Sequence, residues 1–287
     1  MSIEPVEGIT GAISMKARRP GPRVIVFGGV HGNEAAGITA VEKVTSDFSS
    51  DALTLLNGSV VLVGANEHAI RSGERYVRYD LNRLFKDSYD ESFDTDAYEY
   101  VRAQTLKPLL RECDYFLDLH SAASAREPFL ICEAGPALFF RMLGLPKIVT
   151  GWSSFAEIGG DTENYANAHG AIAATLESGG YTDPASVAAS YATIIDLLTG
   201  LDMLEGAKKE KTPVEAFDLY KVVLKKNDDF RYLVSPENFL TLPKGAAYAS
   251  QGGKELTVTE DSYLIIPAPP ERRNVGQEIC YLGRKVS

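Results

Sequence analysis

Two histidines and two glutamates stand where catalytic metal chemistry would place them. His31 and Glu34 form a His-x-x-Glu step directly after Gly28-Gly29-Val30, His120 follows Asp118-Leu119, and Glu177 closes the apolar run AIAATL. Two imidazoles and one carboxylate with an open fourth position are a common catalytic zinc set. The fourth position takes water, whose pKa such an ion brings to about 7. The short His-x-x-Glu spacing lets one loop supply two ligands, so the third must come from elsewhere. Glycines 28, 29 and 32 allow the backbone to fold tightly around them. A single histidine at a strand end is more often a hydrogen-bonded structural residue than a ligand. The combination says more, because the chain has only four histidines and two of them sit at strand ends; His68 and His169 do not.

The elements that must position these residues can be read from apolar periodicity. Residues 24–27 (VIVF), 59–64 (SVVLVG), 115–119 (YFLDL) and 171–176 (AIAATL) are apolar runs of strand length, which reads as buried, parallel-type strands. Residues 33–44 read as a helix with Asn33 as its N-cap. Residues 94–110 read as a second helix, and 183–198 as a third with Pro184 in its first turn. Strands alternating with helices predict an α/β fold, a mostly parallel sheet with helices on both faces, over residues 1–205. After the charged stretch 208–212 the pattern changes to short runs such as 220–224 and 263–266 with Pro and Gly between them. That predicts a small β-rich domain over 206–287. In an open parallel sheet ligands bind beyond the carboxyl ends of the strands, and His31, Glu34, His120 and Glu177 all fall at that rim.

The 287 residues include 45% hydrophobic ones, enough to bury a sizeable core. A net charge of −10 repels phosphate backbones and anionic lipid, which argues against nucleic acid or a membrane surface as the main partner. Three scattered cysteines, Cys113, Cys132 and Cys280, suggest no disulfide framework, and no apolar leader or spanning run is seen, so a cytoplasmic protein is expected. A homo-oligomer is compatible with all of this. GGVHG does not fit G-x-G-x-x-G, and G-x-x-x-x-G-K-[ST] and G-x-S-x-G do not occur, which weakens the dinucleotide, nucleotide-hydrolase and serine-hydrolase readings.

GGVHGNEAAG, RYVRYDLNRLF, DYFLDLH and ATLESGG, in that order, resemble the succinylglutamate desuccinylase/aspartoacylase family, itself similar to the zinc carboxypeptidases. The resemblance implies a zinc carboxypeptidase-like catalytic domain, a mostly parallel or mixed sheet flanked by helices, followed by the β-rich domain. It implies one zinc ion per chain on His31, Glu34 and His120, with Glu177 as general base for attack of water on an amide carbonyl. Arg75 then matches the arginine that polarises that carbonyl, and Asn82 and Arg83 the pair that grips a substrate carboxylate. Tyr248 resembles a tyrosine that the C-terminal domain lends to the site. One position departs from the pattern. Ten residues before the catalytic glutamate, where aspartoacylases carry an arginine for a second substrate carboxylate, this chain has Asn167, and a neutral amide does not replace a bidentate guanidinium.

The residues alone leave other assignments open. Arg75, Arg78 and Arg83 by themselves read as a solvated basic stretch, Glu163 and Glu157 are nearby carboxylates without an assigned task, of which Glu163 becomes a rival base if a strand end is misplaced, and Tyr248 could be a packing residue. The expected activity is a deacylase on an N-acyl amino acid or related small carboxylate-bearing amide. A metallocarboxypeptidase and an inactive metal-binding relative are the alternatives. Asp118, two residues before His120, shares its strand face and could orient it from behind.

Overall fold

The computed structural model describes residues 1–181, 183–209 and 213–286. The chain opens with two edge strands, β1 (Ser2–Pro5) and β2 (Ala12–Lys16), then β3 (Arg23–Gly28), α1 (Ala35–Ser49), β4 (Ser59–Gly64), α2 (Glu67–Ser72) and α3 (Tyr98–Arg111). It continues through β5 (Tyr115–His120), β6 (Phe129–Cys132), α4 (Ala134–Phe140), β7 (Lys147–Thr150), α5 (Thr162–Ala168), β8 (Ile172–Glu177) and α6 (Pro184–Gly200). Strands then take over: β9 (Glu215–Leu224), β10 (Arg231–Tyr232), β11 (Leu240–Leu242), β12 (Ala247–Gln251), β13 (Lys254–Thr257), β14 (Ser262–Ile265) and β15 (Glu278–Val286).

Twelve strands form one mixed sheet in the order β1-β2-β4-β3-β5-β8-β6-β7-β9-β15-β14-β11. Its centre, β4-β3-β5-β8, is parallel. β3 is flanked by the next two strands in sequence, β4 on one side and β5 on the other, so the loops leaving β3 and β5 part to opposite directions. That switch point opens a crevice at the strand ends. The C-terminal strands do not stand apart from the sheet: β9 pairs with β7 and continues it, while β10, β12 and β13 form a separate three-stranded sheet. Of the charged stretch 208–212, residues 210–212 lie outside the described residues.

Period-two alternation explains the two layers. Val24 and Val26 of β3, with Val60 and Leu62 of β4, pack against Ala40, Val41 and Val44 of α1 and Ile194 and Leu197 of α6. Ile25 and Phe27, with Val61 and Val63, face the other way, onto Ala103, Leu106 and Leu110 of α3 and Ala166 of α5. These side chains are fully or nearly fully buried, each valine, leucine, isoleucine and phenylalanine contributing roughly 1.5–3 kcal/mol of transfer free energy. Both faces of the central strands are covered, which is why their sequence is apolar without a polar alternation. The C-terminal strands close a core of their own around Tyr248, Leu264, Ile279 and Leu282.

Helix boundaries differ from the sequence reading, most usefully at two N-termini. α1 begins at Ala35 rather than 33, with Glu34 in the N-cap position and making no cap hydrogen bond, because its carboxylate is turned toward the histidines. α3 begins at Tyr98 rather than 94.

Candidate active site

The loop after β3 does the first part of the assembly. Gly29 takes φ +71°, a left-handed turn that a side chain would strain. A Cβ on Gly32 would come within 2.0 Å of the Ala69 carbonyl carbon of α2, so only glycine lets the loop lie this close. His31 and Glu34 are thereby brought beneath the end of β5. On that strand Phe116, Asp118 and His120 share one face, and β8 sets Glu177 beside His120 in register.

The imidazole Nδ1 atoms of His31 and His120 lie 3.1 Å apart. Glu34 sends Oε1 to within 3.0 Å of the first and Oε2 to within 3.1 Å of the second. All three side chains are buried, and their ligand atoms fall within 4.8 Å of one another. Two metal–nitrogen bonds of about 2.0–2.1 Å at a tetrahedral angle would hold the nitrogens about 3.3 Å apart. The donor set, two imidazole nitrogens and a carboxylate turned to one point, therefore fits a divalent cation.

A carboxylate stands behind each imidazole. Asp80 Oδ1 is 2.9 Å from His31 Nε2, and Asp118 Oδ2 is 3.0 Å from His120 Nε2, although off the line of a well-directed hydrogen bond. Thr162 donates to Asp118 from α5. Such partners fix the ring orientation of metal-binding histidines. Burial opposes the charge on His120, but Asp118 and Glu34 outweigh it and hold its pKa well above the ordinary value. Burial also opposes ionisation of Glu34, and the two imidazoles overcome it, keeping the carboxyl below the usual range.

Arg75 is partly buried over the same cluster. Its guanidinium donates to Asp80 Oδ2 from Nε at 3.2 Å and a terminal nitrogen at 3.1 Å, and reaches Glu34 Oε1 at 3.4 Å. Burial opposes ionisation of Asp80, and Arg75 and His31 hold its pKa well below the ordinary value all the same. The segment carrying these groups is pinned from α3: the buried Glu99 carboxylate accepts from the backbone N–H groups of Val77, Arg78 and Tyr79, the first at 2.7 Å. Arg78 points out to solvent and pairs with Asp94 at 2.7 Å, which separates it from Arg75 and Arg83.

His31, Glu34, His120 and Arg75 line a cavity that opens to solvent. It brings together His31, Glu34, His120, Glu177, Arg75, Asn82 and Arg83. Glu177 is buried, and its Oε2 has no partner among the described residues. Burial, reinforced by the charge of Glu34, raises its pKa to about 8. Asn82 Oδ1 accepts from Thr162 N at 3.0 Å, leaving its NH₂ group free of side-chain partners among the described residues. Arg83 gives one N–H to the Asn82 carbonyl and one to Glu278. Three of its five donors remain.

Tyr248 is not brought to this cavity. It is fully buried on β12 in the C-terminal core, its hydroxyl without a partner, because the apolar interior of the three-stranded sheet claims the ring. The tyrosines that reach the cavity are Tyr181 and Tyr281, the latter from β15. Asn167 lies outside the cavity lining: its amide donates to Glu163 at 2.5 Å and accepts from Ala173 N at 3.2 Å. Glu163 itself lines the cavity with Asp161, and burial raises its pKa well above the ordinary carboxylate range. The side chain of Glu157 lies outside the described ones. His68 stacks on Tyr98 and His169 bonds the Tyr165 carbonyl, both away from the cluster. The sequence reading missed Asp80, Glu278, Tyr181, Tyr281 and Arg273. Only Asp80 carried a local signal, standing two residues before Asn82 in RYDLNR.

Residues 20–196 match the sequence model of the succinylglutamate desuccinylase/aspartoacylase catalytic domain. The succinylglutamate desuccinylase of Burkholderia lata is 30% identical over 267 residues, covering 85% of this chain and 74% of its own length. That of Shewanella piezotolerans is 28% identical over 306 residues, covering 93% and 84%. Among solved structures, succinylglutamate desuccinylase from Vibrio cholerae superposes with a TM-score of 0.76 at 20% identity, over 99% of this chain and 90% of the other. The fold, a mixed sheet flanked by helices with a C-terminal β region, is shared with it. No helix among the described residues is long and apolar enough to cross a membrane.

Proposed function

This chain belongs to the succinylglutamate desuccinylase/aspartoacylase family, and from that premise we propose that it is a zinc-dependent amidohydrolase that removes the acyl group from an N-acyl amino acid. The observation that carries the reading is one cavity holding three convergent ligand side chains, an unpartnered carboxylate oxygen and a guanidinium. His31, Glu34 and His120 would hold one zinc ion, chosen over other divalent metals on ligand type. When bound, the ion supplies Lewis acidity and lowers the pKa of water in its open position.

The chain's own groups divide the rest of the work. Asn82 and Arg83 take the substrate's carboxylate, the guanidinium through donors left over from Glu278. That contact sets the scissile amide beside Arg75. Arg75, held in place by Asp80, offers N–H groups where the carbonyl oxygen gains charge during attack. The free Glu177 oxygen accepts the proton of the attacking water and returns it to the departing nitrogen, the ordinary cycle of a general base turned acid. Trp152, Tyr281 and Ile131 in the wall keep bulk water from the reacting atoms. The three buried, unpaired cysteines agree with work in a reducing compartment such as the cytoplasm. We also propose residue 206 as the division between catalytic and C-terminal units, supported by the separate apolar core after it.

The test is elemental analysis beside an N-acyl amino acid panel. The expected result is about one zinc per chain, with metal and turnover both lost in His31→Ala/His120→Ala. Full metal content and activity in His120→Ala would overturn the reading.

A further inference from the structure

One short segment joins the carboxylate grip to an acidic wall. Thr162 N donates to Asn82 Oδ1 at 3.0 Å. Gly160 lies so close to Arg83 that a Cβ there would meet the Arg83 carbonyl oxygen at 2.6 Å. Asp161 and Glu163, on either side of Thr162, therefore stand beside Asn82 and Arg83 in the cavity lining. A molecule held by its carboxylate on Arg83 lays the rest of its amino-acid part along that wall.

Asp161 and Glu163 are buried, at 4% and 1% exposure, and neither forms an ion pair among the described residues. Asp161 accepts from the backbone and amide nitrogens of Asn164, at 2.8 Å each, and Glu163 from the Asn167 amide. Glu133 stands behind Glu163 and adds to the negative field. Arg83 eases the charge on Asp161 but is itself ion-paired with Glu278, and Arg75 is taken by Asp80. Buried carboxylates without a positive partner are costly. Asn167 supplies no guanidinium for a second carboxylate, because its amide is turned to Glu163. A further group in the same cavity lacks a partner. Tyr281 is only 3% exposed, yet its hydroxyl has no hydrogen-bond partner among the described residues, and its ring stands against that of Trp152 with centroids 4.5 Å apart. Buried hydroxyls are normally satisfied, so this one points to a polar occupant.

We propose that Asp161 and Glu163 select a cationic side chain, so that the substrate is the Nα-acyl derivative of a basic amino acid. The proposal rests on the amidohydrolase reading above. With the α-carboxylate on Asn82 and Arg83, the side chain runs along Trp152 and Tyr281, whose rings cover its methylenes, and its ammonium donates to Glu163 and Asp161. The Tyr281 hydroxyl is a further acceptor on the same wall. An acidic side chain would set a third carboxylate against two. A neutral one would leave both buried carboxyls without a counter-charge, which is how a site built for a charged hydrogen bond rejects the analogue lacking it.

The test assays the full chain, with zinc supplied, on one acyl group carried by lysine, ornithine, norleucine or glutamate. Wild-type kcat/KM should favour the better of lysine and ornithine over uncharged norleucine by about 10- to 100-fold, the range of a charged hydrogen bond, with glutamate poorest. Glu163→Gln keeps the shape of the wall and should bring that ratio close to one. Glu163→Gln/Asn167→Arg should turn the preference toward glutamate. A wild type that prefers norleucine or glutamate, or an unchanged ratio in Glu163→Gln, overturns the proposal. Calorimetry with the free amino acids needs no turnover, and its wild-type arm needs no folded variant. The better basic amino acid should bind wild type at least about tenfold more tightly than norleucine and lose that margin in Glu163→Gln; equal binding of the two to wild type overturns it. Selective binding of the basic amino acid without hydrolysis of any N-acyl amino acid would sink the amidohydrolase reading and leave the cation subsite standing. Hydrolysis without discrimination by side-chain charge would do the reverse.

Discussion

Asp80→Asn separates the two tasks that one carboxylate performs. Asp80 Oδ1 faces His31 Nε2 at 2.9 Å and also accepts from Asn82 N at 3.0 Å, while Oδ2 receives the Arg75 guanidinium. Asparagine keeps the shape and one acceptor but turns an NH₂ toward a group that can only donate. Loss of a carboxylate behind a metal-binding histidine typically costs 10- to 100-fold in metal affinity, or about 1.4–2.7 kcal/mol. Chelator competition on purified protein should read that shift directly. Saturating metal restores occupancy and leaves the second loss, the misplaced Arg75, visible in kcat/KM. Arg75→Ala alone should cost about 10²–10³, as for removal of an oxyanion donor. If Asp80 acts on turnover through Arg75, Asp80→Asn added to Arg75→Ala should cost less than about twofold more at saturating metal. Unchanged metal affinity in Asp80→Asn, or full additivity of the two variants, would refute the reasoning.

Glu177→Gln should retain metal in elemental analysis while turnover falls by about 10²–10⁴, since only proton transfer is removed; equal loss of metal would make Glu177 structural. Gly32→Ala should lose metal and lower the melting temperature, because its Cβ would meet the Ala69 backbone at 2.0 Å; a wild-type melting curve with full metal content would show that the loop can move aside. Tyr248→Phe should leave kcat/KM unchanged, since the hydroxyl it removes is unpartnered in the C-terminal core; a tenfold loss measured on any turned-over amide would return that residue to the site.

What the sequence made legible, and what it did not, follows from the range of the forces involved. β3, β4, β5 and β8 were readable because strands covered on both faces must be continuously apolar, and the residues closing such runs mark the sheet's rim. That logic places His31, Glu34, His120 and Glu177 together. β1 and β2 lie at the sheet's edge and β7 is only four residues long, and none of the three carries a comparable run; β6 is equally short, although its FLIC is a buried apolar run of the same kind. Asp80, Arg273 and Glu278 join the site through contacts between segments far apart in sequence, Arg83 to Glu278 across 195 positions being the extreme. Nothing near Arg273 in sequence distinguishes it from the exposed Arg272 beside it. The orphaned nitrogen that sets it apart exists only once the loop has folded.

Tyr248 lies away from the cavity for a related reason. A tyrosine in an alternating strand has two destinations, core or cleft, and local sequence does not choose between them. Here the strand's partners choose. β12 pairs with β10 and β13 outside the main sheet, so its inward face meets the C-terminal core. β15, by contrast, pairs with β9 inside the main sheet and carries Glu278 and Tyr281 to the cavity. The C-terminal region thus reaches the reacting groups through the strand and the 266–273 loop that extend the catalytic sheet. Variation in what this family's members accept should concentrate in those two segments, where side chains can change without disturbing His31, Glu34 or His120.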